Sequence, residues 1–392
     1  MGKAQSNSGQ AKWTFLVYMA GDNNLDGAAL RDIAEMAKAG STKDVHILVQ
    51  LDRIEDQKTR RFRITPGGGF QKDCIETFSE TNTGDPQILY SFCQWALENY
   101  PADRYALILW NHGSGWWEDA KSRAAGPAGR RPHRQLFHHA FPQAHRSICY
   151  DDTSGGDALD NRELRVVLAG ICTLLGRKID LLGMDACLMN MVEVAYQLRD
   201  SVSVIVGSEI EEPFDGWPYA EILTRLTSRP RQDAPTFARW IVKSYLASYK
   251  GKGEMVTQSA LDVAMIGDVA AKIDALSGDL ITSVSPASDL IAKVRRLSPC
   301  FYDDNYIDLL CFAKNLRKKA GTGLQAKVEA LIAALKPGKG RLILSQGKIG
   351  PEVRGTGGLS IYFPGDRLNP AYRTLDFCTE CRWIAFLERY LS

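Results

Sequence analysis

The sequence predicts an α/β fold built on a mostly parallel central sheet, and three observations carry that prediction. Apolar runs of strand length recur at "WTFLVYMA" (13–20), "VHILVQLD" (45–52), "YALILWNHG" (105–113), "IDLLGMDAC" (179–187) and "VSVIVGSEI" (202–210). Segments of helical periodicity separate them. The runs are continuous rather than alternating, so both of their faces are covered, as in parallel strands flanked by helices. Such sheets collect their functional groups at the carboxyl ends of the strands.

The elements follow in order. Residues 1–12 read as a loose polar tail. After the first strand, "GDNNLDG" is a turn expected to cap a helix over about 26–39. "RFRITPGGGF" looks like a short hairpin arm after the second strand, and a helix with Ile88, Phe92, Trp95 and Ala96 on one face leads to the third. Helices near 160–176 and 190–200 precede the fourth and fifth strands and the chain beyond them. The core is therefore expected over 13–220. From 221 to 392 the pattern becomes mainly helical, with strands returning near 259–266 and 341–364.

Composition narrows the function classes. The chain has 392 residues, 45% hydrophobic and 24% charged, enough for a large soluble core. A net charge of +2 gives no global argument for nucleic acid or a membrane surface as partner. No apolar run reaches transmembrane length. The opening residues lack an apolar signal core, so a cytoplasmic location is expected, with secretion as the alternative if the natural chain begins further upstream. Gly2 and Ser6 fit a myristoylation pattern that is short enough to arise by chance. Nine cysteines, an odd number with several in apolar runs, argue against a disulfide framework, and the single Cys378–Cys381 pair has no second pair to hold zinc.

Residues 117–147 stand apart. They carry Lys121, Arg123, Arg130, Arg131, Arg134 and Arg146 with little apolar periodicity, and a connection of this length inside a domain is usually functional or disordered. Four of the six histidines lie here, but their spacing is irregular and reads as a soluble linker rather than a zinc site. Nucleic-acid contact is disfavoured by sparse aromatic interleaving.

Chemistry concentrates at two strand ends. The third strand closes on Asn111, His112 and Gly113, and the fourth on Asp185, Ala186 and Cys187. A parallel sheet brings both ends to one rim, where an imidazole can accept the proton of a thiol and leave a nucleophile. The N–H groups of Gly113 and Cys187 are candidates for an oxyanion hole. Taken alone, Cys187 would be a buried structural cysteine and His112 a polar strand terminus; their pairing favours acyl transfer. "GDNNLDG" is not a dinucleotide fingerprint and no phosphate-binding loop is present, which disfavours a nucleotide-binding domain.

"FLVYMAGDNNLD", "LILWNHGSGW", "ICYDDTSGGDALDNRELR", "DLLGMDACLMNMVEVAYQL" and "GLSIYFP" resemble the clostripain family of cysteine peptidases, in order over roughly 13–220 with an echo near 358–364. The resemblance implies a caspase-like fold, His112 and Cys187 as a catalytic dyad, and protein or peptide substrates cut after Arg or Lys. It implies a zymogen processed in the loop between the dyad residues, by the enzyme itself or by an upstream activating protease. It also implies Asp185 and Asp215 as carboxylates that would grip a substrate guanidinium; a helix N-cap is the alternative role for Asp185. No cofactor is expected to be required. Calcium stays open, since some members bind or need it, and "DDTSGGDALD" (151–160) offers oxygen ligands without EF-hand spacing. The competing expectation is a catalytically idle, peptidase-like binding or scaffold module.

Overall fold

A computed structural model describes residues 10–116, 148–283, 289–301, 304–319 and 322–392. The expected myristoylation residues and all six basic residues of the 117–147 segment lie outside the described residues.

The described strands are β1 (Ala11–Gly21), β2 (Val45–Arg53), β3 (Lys58–Arg63), β4 (Cys74–Ser79), β5 (Ala102–Trp110), β6 (Ile148–Asp151), β7 (Asp157–Leu159), β8 (Ile179–Asp185), β9 (Val202–Gly207), β10 (Val256–Asp262), β11 (Cys300–Phe301), β12 (Tyr306–Asp308), β13 (Ile343–Ile349) and β14 (Ser360–Tyr362). Nine of them form one sheet in the order β13-β10-β9-β8-β5-β1-β2-β3-β4. The five central strands, β9 to β2 in that order, pair in parallel. The strands added at each edge are antiparallel. The sheet therefore continues past residue 220, through β10 and β13. A three-stranded sheet β11-β12-β14 and the β6-β7 hairpin complete the strand content of the described residues.

The period-2 geometry of strands explains why the central runs are apolar throughout. Phe15, Val17 and Met19 of β1 enter one buried cluster, together with side chains from the helices Asp26–Ala39, Tyr219–Ser228 and Ala234–Tyr249. Leu16, Tyr18 and Ala20 enter the other, beneath Pro86–Asn99, Asn161–Leu175 and Ile266–Ser283. Both faces are largely covered, so most positions of these strands are apolar. The helix starts are set locally. Asp85 and Asp233 each accept a backbone N–H at a first turn that contains Pro, and Asp160 with Glu163 forms a reciprocal capping box.

The turn "GDNNLDG" behaves differently from expectation. The helix Asp26–Ala39 has no side-chain cap; Asn23 instead accepts from Leu25 N and donates to Ala20 O and Tyr150 O. Its job is to hold the chain after β1 against β6. All nine cysteines are free thiols. Among the described residues no helix is long and apolar enough to cross a membrane.

Candidate active site

β5 and β8 are hydrogen-bonded neighbours, and the register pairs Trp110 with Asp185. The ladder runs one residue further, with Asn111 N donating to Asp185 O at 3.2 Å. The side chain of Asn111 ties the same point to its other neighbours, donating to Ala20 O and accepting from Tyr150 N at 2.8 Å. His112 and Cys187 thus leave adjacent strands at the same edge. Gly113 shows how tight this edge is: a Cβ there would lie 2.4 Å from the carbonyl oxygen of Cys187, so only glycine permits the approach. Immediately after Cys187, Leu188 adopts φ +66°, uncommon for a branched side chain and typical of backbone held in place for a site.

His112 is buried, with Nε2 2.7 Å from Oδ1 of Asn24. A ring nitrogen fixed in this way sets the orientation and tautomer of the imidazole. Asn24 sits in the turn held by Asn23, so the anchoring of that turn reaches the histidine. The sequence pattern contained Asn24 but marked it only as a turn residue.

Cys187 is also buried, and Glu212 N donates to its Sγ at 3.3 Å. Burial pushes the thiol well above its ordinary range, and the nearby carboxylates of Glu211 and Asp185 push it further. Asp185 is not a helix N-cap: the next helix, Val192–Gln197, begins seven residues later with Met191 at its cap. The Asp185 carboxylate instead accepts from Tyr219 Oη at 2.8 Å and from Trp217 N at 3.4 Å, and bonds the Glu212 carboxyl. Burial raises Asp185 to about 6, while these donors hold it down. Glu212 is raised much further, by burial and then by Asp185 itself, so it keeps the shared proton. The pair therefore carries one negative charge at neutral pH.

Around this pair lie Gln258, whose Nε2 donates to Glu212 Oε1 at 3.3 Å, and Tyr245. Gln258 Oε1 and Tyr245 Oη are both buried without a partner. Buried polar oxygens are rarely left so, and two together mark a place where a donor-rich group would be welcome. Asp215 lies outside this buried group. Its side chain is 65% exposed and pairs with Lys252 at 3.0 Å. The turn that brings Gly216 N to Pro213 O separates it from Glu212. Glu212 and Gln258 went unmarked in the sequence, because an acid in a loop and a glutamine in a strand carry no local sign of burial.

Of the oxygen-rich stretch 151–160, Asp160 serves the capping box and Asp157 accepts from Asn82 Nδ2. Asp151 instead meets Asp22, Asp52 and Glu80, a group of carboxylates that could hold a metal ion.

Comparison with known proteins agrees with this architecture. The model of the clostripain family matches residues 17–389. Clostripain from Hathewaya histolytica is 32% identical over 255 residues, a stretch covering 57% of this chain and 44% of clostripain, so the match takes in less than half of that relative. A secreted C11 cysteine protease from Bacteroides thetaiotaomicron, solved with an irreversible peptide inhibitor, aligns with TM-score 0.70 at 20% identity over 95% of this chain and 99% of that one. An inactive zymogen C11 protease from Parabacteroides distasonis aligns with TM-score 0.69 at 21% identity over 95% and 98%. The two structures share the fold, and because the family match runs from β1 to the last helix, the chain belongs to the clostripain family.

Proposed function

We propose that the chain is a cysteine endopeptidase that cuts peptide bonds after Arg, and less efficiently after Lys, with Cys187 as nucleophile and His112 as general base. The observation that carries this reading is the emergence of His112 and Cys187 side by side from the paired strands β5 and β8. In the resting chain the buried thiol is neutral, so the imidazole must take its proton as Sγ attacks the substrate carbonyl carbon. Asn24 holds Nε2, which assigns the proton transfer to Nδ1. The N–H groups of Gly113 and Cys187 stabilise the oxyanion. His112 then protonates the leaving amine, and water attacks the thioester to release the acid and restore the thiol.

Specificity follows from the Asp185–Glu212 pair. A guanidinium offers five donors in a planar fork, and this floor presents one negative charge with two unsatisfied oxygens beside it. An ammonium satisfies fewer of them, and a neutral side chain leaves the charge buried and unpaired. Asp215 stands at the rim, where Lys252 neutralises it until substrate arrives.

We also propose that the chain is a zymogen cut within 117–147, where each basic residue is a potential P1 site. Both flanks of that segment are fixed independently. Trp116 packs on Tyr362 and Tyr372 at ring distances of 5.0 and 4.9 Å, and Ile148 bridges to Gly113. A cut between them leaves the fragments joined through the β5–β8 pairing. Intact mass and an arginyl-amide reporter test both parts, using the native chain and Cys187→Ala. The native chain should be nicked after Arg or Lys and active, and Cys187→Ala inactive; if it also stays whole, the cut is self-made, and nicking only in a cell extract points to an activating protease. Full activity from an uncut chain would remove the zymogen, and no turnover by a nicked chain would favour the idle scaffold.

A further inference from the structure

An open cavity of about 500 Å³ lies on the helix Tyr219–Ser228, between Lys38 of the helix Asp26–Ala39 and Trp240 of the helix Ala234–Tyr249. Ile222, Leu223 and Leu226 turn the other face of the first helix to the core, and Glu221, Thr224 and Arg225 line the cavity.

Hydrogen-bond donors are in excess here. Arg225 lays its guanidinium over the Trp240 ring at 4.8 Å, and Lys243 Nζ lies 5.5 Å from the same ring. Stacking occupies the face of a guanidinium and leaves its N–H edge for an acceptor. No acceptor meets it: Arg225 Nε and Trp240 Nε1 are both buried without a partner. The two acids nearby are engaged elsewhere. Glu221, one turn before Arg225 and correctly spaced to pair with it, accepts from Ser244 Oγ at 3.4 Å. Glu35 accepts from Ala220 N at 3.4 Å and reaches Lys38 only at 4.0 Å.

A buried N–H without an acceptor costs about 1–3 kcal/mol and is rare. Two of them on stacked side chains, with Lys38 and Lys243 adding positive charge, suit an oxyanion. A carboxylate or phosphate carries acceptors only, and a guanidinium edge grips either one. The Trp240 ring and the alkyl stems of Lys38 and Arg225 supply an apolar wall for the body of such a ligand, and the volume is that of a small-molecule site. The lining holds no poised nucleophile, because the Thr224 and Ser228 hydroxyls donate to Ala220 O and Arg225 O of their own helix. A ligand would be held here and left unchanged.

We propose that Lys38, Arg225 and Trp240 bind the anionic group of a small organic carboxylate or phosphate ester, at an effector site separate from the dyad. The lining begins at Ala220, next to Tyr219, whose hydroxyl holds Asp185. A ligand that fixes this helix steadies that donor and tightens the grip on a substrate guanidinium. The coupling rests on the peptidase reading; the binding does not.

The test titrates the full chain, as Cys187→Ala, with phenyl phosphate, benzoate, inorganic phosphate and phenol at matched ionic strength, by calorimetry and thermal melting. Phenyl phosphate or benzoate should saturate one site and raise Tm, and the tighter of the two identifies the anionic group preferred. Inorganic phosphate should bind more weakly, and phenol not at all. Arg225→Gln should weaken binding about 10- to 100-fold. Trp240→Phe, which keeps a ring and removes the N–H, should weaken it several-fold, as should Lys38→Gln at the exposed rim. Arg225→Gln should not lower the ligand-free Tm, since it removes a cation with no acid partner, and this separates loss of the site from loss of the fold. No saturable binding by either organic anion, equal affinity in Arg225→Gln, or phenol binding as well as phenyl phosphate overturns the site. Coupling is read on the nicked, active chain, where the saturating ligand should lower KM for the arginyl reporter about fivefold at unchanged kcat. An unchanged KM overturns the coupling and leaves the binding standing.

Discussion

Replacing Asp185 with Asn separates function from folding more sharply than any other change at the site. The substitution keeps the shape but removes the single charge shared with Glu212. For catalysis the loss is large. Truncating one partner of a buried, hydrogen-bonded charge pair costs about 2–5 kcal/mol, which is roughly 30-fold to several thousand-fold in kcat/KM for an arginyl substrate. For stability the sign reverses. A buried carboxyl raised from its ordinary 3.8 to about 6 is ionised less readily in the folded than in the unfolded chain. The resulting cost is absent below pH 3.8, grows as pH rises to about 6, and is complete above it, at roughly 3 kcal/mol. Asp185→Asn therefore loses arginyl cleavage while its Tm at pH 7.5 stays level or rises, and that gain fades as the pH falls below 6. Matched reporters with Arg and uncharged citrulline at P1 should converge in rate. A kcat/KM for Arg within threefold of the native value, or a Tm several degrees lower, would refute the reasoning.

The same pair gives the native enzyme a pH dependence: KM for the arginyl reporter should rise as pH drops through about 6, when Asp185 takes up a proton, and a flat profile from 7 to 5 would exclude Asp185 as the grip. Cys187→Ala and His112→Ala should each remove turnover by several orders of magnitude without additivity in the double variant, since the two act as a unit; near-native turnover by either would end the dyad assignment. Asn24→Ala should lower kcat about 10- to 100-fold with little change in KM, because it orients the base and touches no substrate; a pure KM effect would contradict that role. Gly113→Ala forces its new Cβ against the Cys187 carbonyl, which must move, so activity should collapse while unfolding shifts by only about 1–3 kcal/mol, measured by denaturant titration.

What was legible in the sequence came from local patterns. The five apolar runs named the five parallel strands, because burial on both faces of a strand favours apolar residues at successive positions. Once the strands were parallel, His112 and Cys187 had to reach the same edge, so the pair could be placed without knowing any distance. The tertiary structure alone decided the rest. Asp185 had a helix cap as its alternative role until the helix was seen to begin at Val192, leaving its carboxylate to Tyr219 and Glu212. Glu212 and Asp215 are three residues apart on one acidic loop; the turn at Pro213–Gly216 buries the first and exposes the second. Asp22, Asp52, Glu80 and Asp151 share no motif, because their neighbourhood is made by four strand ends meeting. Hydrophobic periodicity is a property of neighbours along the chain, and the sequence displays it directly. The charge, burial and partners of a carboxylate depend on segments that only the fold brings together, and no local pattern records them.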